Sequence, residues 1–340
     1  PTPTAPKQTG GSGGGAAAGV PASGGVSAAG MGAESGDAFG HHSVRDIRRA
    51  QGQSAVKSAA YITGDSIHDA RLGLTFGRPE KSGRVLAVGT VGPSGSSWTP
   101  GDLWSAAEKA ETKSNARTGQ TREVALPVEL DEAAHKRLLN GFALWHRDTY
   151  GTAATWALHA PSGHGDKRNT HGHINTTTRI VGVGPDGGPE FGAKVRALSG
   201  SREQVAAEIE RQRAEWARRV NAELEKAGSR RRLDHRSHAR RAEAGDGPAL
   251  EASAHKGARR AAKERRDPEA KRAARAAEAA RRERNAATAA AWRQGERATQ
   301  NAIQSAAEVA QGPDEREAAA AARWAAKQAR EWEAWRRKQE

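Results

Sequence analysis

Apolar and polar residues fall into regular patterns from about His41 to about Asp246 and lose them on either side. His41 to Ile47 fits a short strand. Ser54 then stands ahead of AVKSAAYI, a small-residue helix that Gly64 closes, with Tyr61 in its last turn. Arg84 to Val91 has strand composition, and Thr99-Pro100-Gly101-Asp102 opens a helix through Leu103, Trp104, Ala107 and Ala110. REVALPVEL, Arg122 to Leu130, predicts a strand stopped by Pro127, followed by a helix from Asp131 through Leu138, Leu139, Phe142 and Trp145. Two more strands, Ala154 to Ala160 and His171 to Val183, flank a polar loop and are expected to pair. Between Ser201 and Gly228, Val205, Ile209, Trp216, Val220 and Leu224 recur at helical multiples and predict an amphipathic helix.

The flanks read differently. Residues 1–40 are Gly, Ala, Ser, Pro and Thr with almost no large apolar side chain, a composition that cannot offset the entropy of ordering, so a disordered leader is expected. Beyond Gly245-Asp246-Gly247-Pro248, residues 246–340 turn to Ala, Arg and Glu and predict long, largely solvated helices carrying Trp292, Trp324, Trp332 and Trp335. The folded domain is thus expected over residues 41–245. Only 36% of the 340 residues are hydrophobic, too few for one core spanning the chain. A formal charge of +14 favours a polyanionic partner.

Absence of cysteine excludes disulfides, thiolate catalysis and Cys-ligated metals, leaving His and carboxylates as metal ligands. No phosphate-loop motif encodes an ATPase, and no apolar stretch approaches the roughly twenty residues of a spanning helix, so no membrane insertion is expected and the cytoplasm is the expected compartment.

HAPSGHGDKRNTHGH holds His159, His171 and His173. On a strand His171 and His173 share a face, and His159 on an adjacent strand can supply a third imidazole, a set that suits a divalent ion with open coordination positions. The plain alternative is a pair of solvated histidines on an edge strand. Tyr61 is one of only two tyrosines. A phenol with pKa near ~10 is a poor nucleophile unless a metal or base assists it, and a metal-bound phosphate is one target for which it is used. The alternative is a ring that merely packs at a helix end, as is expected of Tyr150 beside Gly151.

Taken in order and spacing, SVRDIRRAQGQSAVKSAAY (Ser43 to Tyr61), REVALPVEL, DKRNTHGHI with the upstream His159, and LDHRS (Leu233 to Ser237) resemble MobA/MobL-type relaxases, the MobQ group of mobilisation nickases. The resemblance covers roughly residues 41–245. It implies an α+β fold, a five-stranded antiparallel sheet flanked by helices, known as the HUH endonuclease fold. Tyr61 would be the nucleophile and His159, His171 and His173 would bind a divalent cation, Mg2+ or Mn2+ first, with Zn2+, Co2+ or Ni2+ as alternatives. Such enzymes nick one strand of single-stranded DNA at an origin of transfer, remain joined through a 5′-phosphotyrosine, and later reverse the reaction. Implied partners are relaxosome accessory proteins and a type IV secretion coupling protein, with passage into the recipient cell attached to DNA.

Glu123 and Asp166 match acidic positions of these blocks, as orienters of a metal-bound imidazole or as aids to phenol deprotonation; their alternatives are a surface strand carboxylate and a turn residue. Two positions depart from the pattern. Gly172 stands between the paired histidines where a larger hydrophobe is frequent, which is expected to weaken the strand, and Thr170 replaces a frequent proline. Arg48, Arg49, Arg179 and Arg236, with Arg45, Arg168 and Arg230 to Arg232, are candidates for phosphate contacts, against the alternative of a solvated charged face. Competing readings are a non-catalytic basic scaffold, a metal-activated-water hydrolase, and a rolling-circle replication initiator. The last is disfavoured because no tyrosine follows His173.

Overall fold

The computed structural model describes residues 42–77, 83–161, 170–252, 263–264, 266–310 and 315–337. The leader expected at residues 1–40 lies outside them, as do His41, Asp166 and Arg168.

Five strands form the central antiparallel sheet: β1 (His42–Arg48), β4 (Val85–Val91), β5 (Arg117–Ala125), β6 (Ala154–His159) and β7 (His171–Thr176), in the spatial order β1-β5-β7-β6-β4. The sheet has two differently built faces. Strand alternation sends Val124, Leu158, Trp156 and Ile174 to one side, where α3 (Glu132–Tyr150) and α5 (Arg202–Lys226) cover them with Leu138, Leu139, Phe142, Trp216, Val220 and Leu224. Burying Phe142 or Leu139 in this layer contributes about 1.5–3 kcal/mol each relative to exposure. Arg122 also lies on this side, fully enclosed, and bonds Gln120, Thr176 and Gln212. Burial draws its guanidinium down to about 10, so it stays charged at neutral pH.

The second face is covered only in part, by α1 (Ala55–Thr63) and α2 (Pro100–Lys109). Both helices start where the sequence signals it. Ser54 accepts from the Lys57 amide, and Thr99 with Asp102 forms a reciprocal capping box behind Pro100. Gly64 closes α1 in the left-handed region at φ 78°. Glu108 on α2 accepts from the Ala55 amide at the start of α1 and from Arg49 and Arg71, which locks the two helices together.

Three features differ from the sequence expectation. The strand expected over His171 to Val183 is two elements: β7 ends at Thr176, and β8 (Arg179–Val183) leaves the sheet to pair with β9 (Pro189–Lys194). Thr177 and Thr178 make the break, the Thr177 hydroxyl accepting from the Ala153 amide and donating to the Arg179 carbonyl. The strand placed at REVALPVEL begins five residues earlier, at Arg117. A small hairpin of β2 (Ile67–Asp69) and β3 (Leu74–Phe76) was not foreseen. Beyond α4 (Arg196–Ser199), α5 and α6 (His238–Glu243), the long helices α7 (Pro268–Ala310) and α8 (Glu315–Arg337) pack on each other. Trp332 stacks on Trp335 and meets Trp292 edge-on, so these rings serve the helical hairpin itself, while Trp324 stays exposed.

The β8–β9 hairpin is fastened to the end of α2 by Glu111, which pairs with Arg179 at 2.8 Å and Lys194 at 3.0 Å. Burial alone would raise the Glu111 carboxyl, but the hydrogen bonds from Arg179 and Lys194 outweigh it and hold it below its usual value. A carboxyl lowered on folding contributes stability above its unfolded pKa and loses it as pH falls through the folded value. Stability is therefore expected to drop on acidification below about pH 4.5. Glu111→Gln should cost about 1–3 kcal/mol at neutral pH and flatten that acid limb, as read by urea unfolding across pH.

Candidate metal centre and tyrosine

The partly open face of the sheet carries the candidate chemistry. In the antiparallel register His159 on β6 stands directly opposite His171 on β7, and His173 lies two residues further on the same side. The three rings crowd together with centroids 4.6 to 5.5 Å apart, and one nitrogen from each lies within 4.8 Å of the others. His173 is buried and the other two are half-buried, so the cluster opens at one side of the sheet. Three imidazoles at this spacing are a donor set that fits one divalent ion with coordination positions left over.

Tyr61 reaches the cluster from α1. Its ring meets His173 edge-on, with centroids 6.2 Å apart and planes at 84°, and the side chain is 44% exposed. Two hydrogen bonds hold this turn of helix on the sheet. Asn175 donates from Nδ2 to the Ser58 hydroxyl at 3.0 Å, and His159 Nε2 lies 2.6 Å from the Ile62 carbonyl. A carbonyl only accepts, so this bond requires the His159 proton on Nε2. Ser58 and Ile62 are one turn apart and bracket Tyr61. Ala55, Ala59 and Ala60, all buried, keep α1 close enough to the sheet for both bonds.

Asn175 and Ser58 were missed in the sequence, although His171, His173 and Asn175 continue one period-two pattern and Ser58 sits one turn ahead of Tyr61. The Ile62 carbonyl is a backbone group that no side-chain pattern announces.

Glu123 stands opposite His173 across β5 and β7, on the same face, with Arg45 Nη2 3.7 Å from its carboxylate. Of the arginines singled out in the sequence, Arg45, Arg48, Arg49, Arg179, Arg231 and Arg236 have carboxylate partners within the chain, while Arg232 bonds the carbonyls of Ser229 and Arg231. Arg48 is paired with Asp46 and is 45% exposed, whereas Arg49 is buried against Glu108 and the carbonyls of Glu108, Glu111 and Lys113. Arg179 is bound by Glu111 and Arg236 by Asp234 and Asp246. Tyr150 is a packing residue: its hydroxyl donates to Glu208 and accepts from Arg211 and Gln212, and burial first, then the Glu208 bond, pushes its ionisation up.

Gly172 does not leave the metal face loose. It points to the opposite side, where Leu139 of α3 fills the space; a Cβ built there would come within 2.3 Å of Leu139 Cδ2. The hydrophobe expected on the strand is supplied by the helix. Because Leu139 is enclosed, Gly172→Val should overpack this layer and cost about 1–3 kcal/mol in urea unfolding, with partial recovery in the Leu139→Ala background.

A family model described as MobA/MobL family matches residues 53–266. The chain is 32% identical over 256 residues to "Mobilization protein MobL" of Acidithiobacillus ferridurans, covering 68% of this chain and 65% of that protein. It is 30% identical over 233 residues to "Probable mobilization protein MobA" of Bifidobacterium longum, covering 58% of this chain and 40% of that protein. The chain thus spans less than two thirds of either relative. A solved structure described as "Molecular Basis of Vancomycin Resistance Transfer in Staphylococcus aureus" superposes with a TM-score of 0.48 at 20% identity, covering 58% of this chain and 98% of that one. Among the described residues no helix is long and apolar enough to cross a membrane.

Proposed function

Because the chain belongs to the MobA/MobL family, we propose that it acts in plasmid mobilisation as a site-specific relaxase, nicking and rejoining one DNA strand at an origin of transfer through Tyr61. The observation that carries this reading is the Tyr61 ring set edge-on against His173 at the open side of the three-histidine cluster. His159, His171 and His173 are the residues that would hold the ion. A divalent ion bound there supplies Lewis-acid stabilisation of the charge that grows on a non-bridging phosphate oxygen.

The chain's own groups account for the remaining steps. Tyr61 Oη attacks phosphorus in line, forming the phosphotyrosine bond as the bond from phosphorus to the deoxyribose 3′ oxygen breaks. The phenol proton is lost to a carboxylate or to solvent, and the departing 3′ oxygen leaves as a hydroxyl. The energy of the diester is kept in the phosphotyrosine, so the 3′ hydroxyl can attack it in turn and restore the strand. The Ser58 and Ile62 bonds fix the helical turn from which Tyr61 projects, which lowers the entropy lost on reaching attack geometry. Glu123, opposite His173, is within cross-strand reach of that ring and is assigned to orient it. Asp166, which lies outside the described residues, keeps its assignment as a second carboxylate. Of the candidate phosphate contacts, Arg45 and Arg48 are the more exposed and Arg49, Arg179 and Arg236 are more firmly engaged by internal carboxylates. The strand at the origin, accessory proteins of the relaxosome and a secretion coupling protein are the proposed partners, met in the cytoplasm.

The test is incubation of the full chain with pooled, end-labelled single-stranded oligonucleotides from the element's non-coding DNA, with Mn2+ or Mg2+. An SDS-stable protein–DNA adduct is expected. Cleavage without an adduct would identify water as the nucleophile, and binding without cleavage would favour the scaffold reading.

A further inference from the structure

The triad face changes character from one edge of the sheet to the other. Across one row the register runs Ser43, Glu123, His173, Ala157, Val88, from β1 to β4. Arg45 and Glu123 make the β1 side charged, the imidazoles occupy the middle, and the β4 side is aliphatic. On β4 the pairing slips between Val85 and Ala87: Val85 faces His159, Ala87 faces Leu158, and Val88 faces Ala157. Directly opposed residues share a face, so Val85 and Val88 belong to the triad side and Ala87 to the covered side, where it packs on the core. Leu86 is the extra residue of this bulge. Counting back from Ala87, it also falls on the triad side, so the bulge adds a second consecutive apolar residue beside His159.

These side chains have little protein over them. Leu86 is 45% and Val88 39% exposed, while the other side of the same strand is closed by Trp156 over Gly89 and by the burial of Val91. An edge strand with an open face ordinarily carries charge or proline there, because exposed Leu and Val invite aggregation. Here they adjoin the metal ligands by one strand spacing, about 4.8 Å.

We propose that Leu86 and Val88, with Val85, form an apolar shelf that receives a nucleobase of the single strand whose phosphate lies at the histidines. This inference rests on the nickase reading and adds the seat of a base to it. The occupant follows from the asymmetry of the floor: a nucleotide has an anionic backbone, which suits the imidazole and arginine side, and a flat apolar ring face, which suits the aliphatic side. The shelf residues carry no side-chain donor or acceptor, so they favour any base over none and leave base identity to other contacts.

Fluorescence anisotropy of the full chain, at one fixed salt concentration, tests this with two probes of about twelve nucleotides. One is oligothymidylate and the other is an abasic tetrahydrofuran strand of equal length. The parent should prefer oligothymidylate. Leu86→Ser combined with Val88→Ser should weaken oligothymidylate binding about five- to tenfold, leave the abasic probe within about twofold, and keep the salt dependence. Equal losses on both probes, unchanged oligothymidylate binding, or a parent that does not discriminate would each overturn the shelf. A parent that binds neither probe would overturn the single-strand reading as well, an outcome distinct from failure of the shelf alone. A melting temperature for the double variant confirms that the surface change leaves the fold intact.

Discussion

Tyr61→Phe should abolish the SDS-stable adduct, lowering its rate of formation by at least about a thousandfold, while binding of the same DNA and the melting temperature stay close to those of the parent. The size follows from the chemistry. Phenylalanine keeps the ring that meets His173 edge-on but removes Oη, the atom that must become bonded to phosphorus. Stability is spared because the side chain is 44% exposed and α1 is held by Ser58, the Ile62 carbonyl and its buried alanines. Tyr150→Phe is the internal control. It removes the hydroxyl bonded to Glu208, Arg211 and Gln212, so it should cost about 1 kcal/mol of stability and leave the adduct. An adduct that survives Tyr61→Phe would sink the assignment of the nucleophile.

The helix that carries Tyr61 was readable because its local signals agree. Ser54 as a cap, six residues of small or apolar side chains and Gly64 as a stop define one short helix, and the structure forms it over Ala55–Thr63. The histidines were readable for a related reason: period-two alternation fixes which side chains of a strand share a face, and His159 needed only an adjacent antiparallel partner to join them. What escaped was whatever depends on distant pairing. No local pattern tells that His171 to Val183 breaks at Thr177, since the bonds that make the break come from Ala153 and from the turn into β8. Gly172 reads as a weakness in its strand and becomes intelligible only when Leu139, thirty-three positions earlier on another element, is seen in the space. The arginines show another limit of local reading. A count of positive charge says nothing of the carboxylates each one meets, and Arg49, just after β1, is held by Glu108 of α2.

Removal of the ion, or of one ligand, should have the second-largest effect. Chelation is expected to stop adduct formation by the parent and readdition of Mn2+ to restore it. His171→Ala and His173→Ala should each weaken metal binding, followed by calorimetry, by at least about a hundredfold and lower the adduct rate by a comparable factor. His159→Ala differs from these two in kind. Its imidazole donates from Nε2 to the Ile62 carbonyl, so the same ring that belongs to the three-histidine cluster also clamps the end of the helix that carries Tyr61. Truncation there should reduce metal affinity and also loosen the last turn of α1, seen as faster amide exchange around Tyr61 without added metal. His171→Ala, whose ring belongs to the start of β7, should leave that exchange near the parental rate. Metal-free exchange that is identical in the two variants would mean that the His159 bond does not restrain the tyrosine, and adduct formation indifferent to all three substitutions would remove the metal from the reaction altogether.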